Sequence, residues 1–265
     1  MRVAFTTSDG VRLAGLHWDI GLRDLGCVVA HGFTGSSRVE HVQQICRTLN
    51  SHGAGVLAPD LRGHGSSGGR STVGDLEIHD IAASVEWLRG RGYQKIAILG
   101  WSMGGSAVLR FAGLGGAVDA VVSVSAPGRW FERGTRPMRI VHWLCETRTG
   151  RTVLRIARGT RLAHDSWVDV PAAPHEVVGA IHPTPLLIVH GDADHYFGMD
   201  HLELLRAGAP EAAIWVESEM GHAETATTPE LTGRIADWLH AQLGTGRTVV
   251  GTPAPQEVCD DGPHD

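Results

Sequence analysis

Three side chains in this sequence could together activate a nucleophile. They are Ser102 in Gly100-Trp-Ser-Met-Gly104, a carboxylate in Gly191-Asp-Ala-Asp194, and His222 in Met220-Gly-His-Ala-Glu224. A serine hydroxyl attacks poorly until a base takes its proton, and that base needs a third group to fix its tautomer and orientation. Ser102 follows the apolar run Lys95-Ile-Ala-Ile-Leu-Gly-Trp101, whose β-branched and apolar residues suit a buried strand. Gly100, Gly104 and Gly105 leave room for a helix to approach that strand closely. A sharp turn from strand into helix would push the hydroxyl out of the sheet edge. It would also set the Met103 N–H at a helix N-terminus, where partial positive charge stabilises an oxyanion.

With 35 glycines in the chain the Gly-x-Ser-x-Gly pattern alone is a weak signal, and Gly65-Ser-Ser67-Gly-Gly69 matches it too. That second match follows the polar loop Asp60-Leu-Arg-Gly-His64 and no strand runs into it, so Ser102 is the candidate nucleophile. Among 16 histidines, His222 stands out because its loop lies between the last strand and the last helix. Ligands and catalytic groups in open parallel sheets gather at the carboxyl ends of strands. The strand ending at His190 offers two acids. Asp194 is the preferred partner of His222, and Asp192 is the alternative, since an acid in the immediate turn is suited to an Asx-type bond with backbone N–H. The other strand end where an acid could enter reads Ser125-Ala-Pro-Gly128 and carries none. A second oxyanion donor is expected from His31-Gly-Phe-Thr-Gly35, as the N–H of Phe33.

The elements that must position these groups alternate along the chain. Residues 2–6 and 11–18 read as strands joined by the turn Ser8-Asp9-Gly10. Strands at 27–30, 55–58, 95–101 and 120–124 then alternate with helices at 39–51, 73–88 and from Ser102 onward. In the second of these helices Thr72 and Asp75 are expected to cap the N-terminus, with Gly90 after the end. Strands resume at 185–190 and 212–216, and Thr228 is expected to cap a final helix from Pro229. This rhythm predicts an α/β fold, a mostly parallel, doubly wound, eight-stranded sheet. Residues 1–127 and 183–243 would form the core, 128–182 a small helical cap insertion, and 244–265 a disordered tail.

Four motifs in order, His31-Gly-Phe, Asp60-Leu-Arg-Gly-His-Gly-Ser-Ser67, Gly100-Trp-Ser-Met-Gly104, and Gly191-Asp-Ala-Asp194 before Gly221-His222, make the chain resemble the α/β-hydrolase superfamily. Within it, the chain looks most like bacterial lysophospholipase-like esterases and serine aminopeptidases. The resemblance implies Ser102 as nucleophile, Asp194 as acid, His222 as base, and Phe33 with Met103 as oxyanion donors. It also implies that residues 62–67 are a structural loop, which leaves His64 outside the chemistry. Serine at 102 argues against dehalogenase or epoxide-hydrolase chemistry, since such enzymes of this fold carry Asp there.

Composition bounds the rest. A chain of 265 residues with 42% hydrophobic content can bury a sizeable core, and a net charge of −6 gives no electrostatic reason for nucleic-acid binding. Cys27, Cys46, Cys145 and Cys259 are scattered, which suggests neither a zinc site nor a disulfide framework. No signal-peptide core or transmembrane run is evident, so a soluble cytoplasmic protein without metal or organic cofactor is expected. Between Arg129 and Arg161 stand nine Arg against two Glu. Arg148, Arg151, Arg155 and Arg158 fall on one helical face, opposite Val153, Leu154, Ile156 and Ala157. Such a face is either a solvated cap surface or a site attracting an anionic or carrier-bound substrate. Trp130, Phe131, Trp143 and Leu144 are the candidates for an acyl pocket. The expected activity is cleavage of a carboxylic ester or thioester through an acyl-enzyme. Acyl transfer, C–C bond hydrolysis on the same triad, or a ligand-binding receptor of the same fold are the alternatives.

Overall fold

The Ser8-Asp9-Gly10 turn closes a hairpin in which β1 (Arg2–Thr6) pairs antiparallel with β2 (Arg12–Trp18). The computed structural model describes residues 1–163, 167 and 169–246. In chain order there follow β3 (Leu25–Ala30), α1 (Glu40–Ser51), β4 (Gly55–Pro59), α2 (Glu77–Arg89), β5 (Lys95–Trp101), α3 (Met103–Gly113) and β6 (Ala120–Val124). Next come α4 (Arg136–Glu146), α5 (Arg148–Arg158), α6 (Pro174–Val177) and a 3-10 turn (Val178–Ile181). The chain continues with β7 (Leu186–Gly191), α7 (Met199–Gly208), β8 (Ala213–Glu217), α8 (Ala223–Ala226) and α9 (Pro229–Leu243). Of the expected tail at 244–265, residues 247–265, with Cys259, lie outside the described residues. Cys27, Cys46 and Cys145 are free thiols. Among the described residues no helix is long and apolar enough to cross a membrane.

The eight strands lie in the order β1-β2-β4-β3-β5-β6-β7-β8, antiparallel at the β1-β2 and β2-β4 pairings and parallel from β4 to β8. Every residue of β3, β4 and β6 is buried, because the crossover helices cover both faces. Successive strand side chains therefore feed different layers. Cys27 and Val29 pack with Ile45 and Leu49 of α1 and Ile235 and Leu239 of α9, whereas Val28 and Ala30 pack with Ile81 and Val85 of α2 and Val108 of α3. Val178 and Ile181 join this second layer, so the end of the segment between β6 and β7 is built into the core while α4 has no buried residue.

Two sequence expectations are corrected. The second helix starts at Glu77, and no Thr72–Asp75 capping pair forms. Instead the buried Glu77 carboxylate accepts hydrogen bonds from the N–H groups of Thr72 and Gly74 and from the hydroxyls of Ser71 and Thr72. Four donors converging on one acid hold residues 71–76 as a loop, and this outweighs the helical pattern of the sequence. In α5 the expected apolar face does not bury as a unit. Leu154 is buried, but Val153 and Ile156 are exposed, because α5 contacts its neighbours along a narrow line through Gly150 and Leu154.

Arg62 is buried and fixes the loop after β4. Its guanidinium binds both Asp80 in α2 and Asp9 in the opening hairpin, at 2.8 Å each. Breaking a buried pair leaves an uncompensated charge. We expect Asp80→Ala to lower unfolding free energy by about 3 kcal/mol or more. Asp9→Ala, at the partly solvated end of the network, should lower it by about 1 kcal/mol. Urea denaturation followed by circular dichroism would measure both.

Candidate active site

Ser102 joins β5 to α3 with φ 51° and ψ −116°. A non-glycine residue held there stores roughly 1–3 kcal/mol of strain, which persists only where surroundings over-determine it. Its N–H donates to the Val124 carbonyl at 2.9 Å, and its carbonyl accepts from the Ser106 N–H at 3.0 Å. A Cβ on Gly104 would strike the Ala30 carbonyl, and one on Gly100 would strike the Gly104 backbone. The glycines thus allow α3 to start directly above the β3–β5 edge, with Ser102 at its first turn.

His222 follows β8 and lies against this turn. Its Nε2 is 3.0 Å from Ser102 Oγ and its Nδ1 is 2.8 Å from Asp194 Oδ2. An ionised Asp194 accepts from Nδ1–H, which leaves Nε2 to accept from the serine hydroxyl. Burial pushes the Asp194 carboxyl up. The hydrogen bond and charge of His222 and the N–H groups of Phe197 and Tyr196, at 3.1 and 2.8 Å, outweigh burial and hold it below its ordinary value. The Tyr196 ring stacks on His222 with centroids 4.3 Å apart. Of the two acids, Asp194 is the one beside the histidine. Asp192 accepts from the Glu219 N–H at 2.6 Å, so its partner is backbone, as expected, but across the neighbouring loop and not within its own turn.

The Gly32 carbonyl accepts from the Gly35 N–H at 3.0 Å and from His31 Nδ1 at 2.8 Å. His31 Nε2 accepts from the Leu61 N–H at 3.0 Å, which places the ring proton on Nδ1. Burial lowers the pKa of this ring to about 3, so it stays neutral. The two groups of a trans peptide point oppositely, so pinning the Gly32 carbonyl turns the Phe33 N–H the other way. Met103 is the first residue of α3, and its N–H lacks an intrahelical partner. Phe33, Met103, Ser102 and His222 all line one cavity of about 1350 Å³.

Trp130, Phe131 and Leu144 line the same cavity. Trp143 does not, and this is a correction. On α4, Met138, Ile140, Val141, His142, Leu144 and Cys145 line it, whereas Trp143 is 46% exposed. Ser67 is buried, with its hydroxyl bonded to the Asp60 carbonyl and accepting from the Ala14 N–H at 2.8 Å. His64 is also buried and bonds the Arg62 carbonyl at 2.9 Å.

Four contributing residues were missed in the sequence. Tyr196 and Phe197 orient Asp194, and their spacing of two and three residues after an Asp in a loop is a readable signal. Glu224 accepts from the Gly32 N–H at 2.5 Å and so ties the His222 loop to the His31 loop. Trp167 lies 5.3 Å from Trp130 and 5.8 Å from Phe131, and its indole N–H donates to the Thr72 carbonyl at 2.9 Å. No apolar periodicity in the sequence marks it. Among the described residues, Glu132, Asp200 and His201 form a cluster of metal-ligand types with ligand atoms within 4.8 Å of one another. The Arg129 guanidinium already bridges its two carboxylates, at 2.8 and 2.6 Å.

Comparison with known proteins gives the same architecture. A family model described as alpha/beta hydrolase fold matches residues 28–144. A non-heme chloroperoxidase of Streptomyces lividans is 39% identical over 126 residues, 46% of this chain and 43% of that protein, so the chain spans less than half of that relative's length. The Pyrococcus furiosus esterase Pf2001 superposes with a TM-score of 0.70 at 26% identity over 91% of this chain and 90% of that one. The α/β hydrolase GrgF of Penicillium sp. sh18 superposes with a TM-score of 0.74 at 18% identity over 92% and 99%. With its strand order, its crossover helices and its matched segment, the chain has the α/β-hydrolase fold.

Proposed function

We propose that the protein is a serine hydrolase that cleaves a carboxylic ester or thioester, of the lysophospholipase-like esterase type, through an acyl-enzyme on Ser102. The observation that carries this reading is His222, whose two ring nitrogens lie within hydrogen-bond reach of Ser102 Oγ and Asp194 Oδ2. Ser102 Oγ attacks the carbonyl carbon as its proton passes to His222 Nε2. The oxygen gains negative charge and is stabilised by the N–H groups of Phe33 and Met103. His222 then protonates the leaving alcohol or thiol as the carbon–oxygen or carbon–sulfur bond breaks. A water, deprotonated by the same nitrogen, attacks the acyl-enzyme and releases the carboxylic acid. Asp194 holds the imidazole in the productive tautomer and stabilises its cation. The segment of α4 and α5 acts as the cap, and Trp130, Phe131 and Leu144 contact the acyl group.

A fluorophosphonate probe followed by peptide mass spectrometry tests the nucleophile. Rapid modification of Ser102, absent in Ser102→Ala, is expected. An adduct at another serine, or none, would overturn the assignment. Labelling without turnover of esters or thioesters would instead assign a ligand-binding role.

Replacing the acid separates the two aspartates. Asp194→Asn should lower kcat by roughly 10⁴-fold, because the amide stabilises the wrong tautomer of His222. Asp192→Asn, with its carbonyl oxygen still able to accept from Glu219, should retain activity within about threefold. Steady-state kinetics on a chromogenic ester measures both.

A further inference from the structure

The rim of the catalytic cavity is apolar where a solvent-facing rim would ordinarily be polar. Val39, Phe131, Ile140, Val153 and Val170 all line the cavity and are 38% to 58% exposed. Two of them have a further exposed apolar residue one turn along their helix. Trp143 lies one turn beyond Ile140 on α4, and Ile156 one turn beyond Val153 on α5, at 46% and 82% exposure. Scattered single apolar residues on a surface need no explanation, but a contiguous set around a site mouth marks an interaction surface.

The same two helices carry unbalanced positive charge. Arg136, Arg148, Arg155 and Arg158 have no acidic partner among the described residues, whereas Arg129 and Arg133 are paired with Glu132 and Glu146. Arg136 and Arg158 also line the cavity. A protein partner would have to match this charge with acids while burying aromatic and branched apolar side chains beside them. An anionic lipid surface supplies both at once, with phosphates at the level of the guanidiniums and acyl chains below them. The chain as a whole is negative, with a net charge of −6, so the basic cap would orient the molecule with the cavity mouth toward such a surface.

We propose that α4, α5 and the cavity rim form a docking surface for an anionic phospholipid bilayer, from which an acyl-chain amphiphile enters the cavity directly. This deepens the hydrolase reading, on which the choice of substrate rests. The docking itself requires no turnover.

The test is cosedimentation of the full-length Ser102→Ala protein with vesicles of phosphatidylcholine alone or mixed with phosphatidylglycerol. Binding to the mixed vesicles is expected, with affinity at least about tenfold lower for pure phosphatidylcholine and falling as salt rises. Arg148→Glu with Arg155→Glu, and separately Trp143→Asp with Ile156→Asp, should each weaken binding by about tenfold or more. Neither pair lines the cavity, so in the Ser102 protein both should leave hydrolysis of a soluble short-chain ester unchanged, which also reports that the variants fold. Failure of the protein to sediment with mixed vesicles would overturn the proposal, as would binding insensitive to both pairs of substitutions. Dimerisation abolished by Trp143→Asp with Ile156→Asp would also overturn it, by assigning the face to a second copy of the chain. Vesicle binding without ester turnover would instead remove only the hydrolase reading.

Discussion

The arrangement depends on one steric constraint, the near contact of the first turn of α3 with the ends of β3 and β5. A single added methyl group at Gly104 would meet the Ala30 carbonyl, and one at Gly100 would meet the backbone of Gly104. Only with both glycines present can the helix begin so close to the sheet that Ser102 is left at φ 51°. The hydrogen bond from its N–H to Val124 ties this strained residue to the next strand. Strain in one residue is small beside the burial of a core of this size, so the sheet holds the turn and the turn presents the hydroxyl.

Around that fixed point three loops converge from three other strand ends, two of them secured by contacts outside themselves and one by its own backbone. The His31 loop after β3 is held by Leu61 and by Glu224. The Asp194 loop after β7 is held by its own Tyr196 and Phe197 N–H groups. The His222 loop after β8 is anchored by Ser125, whose hydroxyl accepts from the Ala223 N–H at 3.1 Å, and by Trp101, whose indole N–H donates to Thr227 at 2.9 Å. Trp101 and Ser102 are neighbours, so one dipeptide supplies both the serine and an anchor for the loop that carries its histidine. The positions of these groups are thus mutually dependent, as preorganisation for a developing charge requires.

The helices α4 and α5 follow a different logic. The central strands β3, β4 and β6 bury every residue, whereas α4 buries none and α5 only Gly150 and Leu154. Few buried contacts imply a low cost of local rearrangement, which suits elements that stand over a cavity mouth. Arg136, Arg148, Arg155 and Arg158 and the exposed apolar residues beside them are the groups on which the proposed docking surface rests.

The sequence alone determined the features that rest on local chemistry. Periodicity located the strands and most helices, and the glycine pattern after β5 identified the turn at Ser102. Loop position after β7 and β8 pointed to His222 and to the pair Asp192 and Asp194, since parallel sheets bring their carboxyl ends to one edge whatever the side chains. Tertiary structure decided what depends on residues far apart in the chain. Glu77 gathered four donors and delayed the start of α2, against the local helical pattern. Trp143 was left exposed and outside the cavity lining because helix rotation is set by packing, and Glu224 reached Gly32 across 192 positions of sequence. Propensity and spacing act over a few residues, so they fix the elements and their order. The direction in which each helix faces, and which distant loop completes a hydrogen bond, are set only when the sheet brings those residues together.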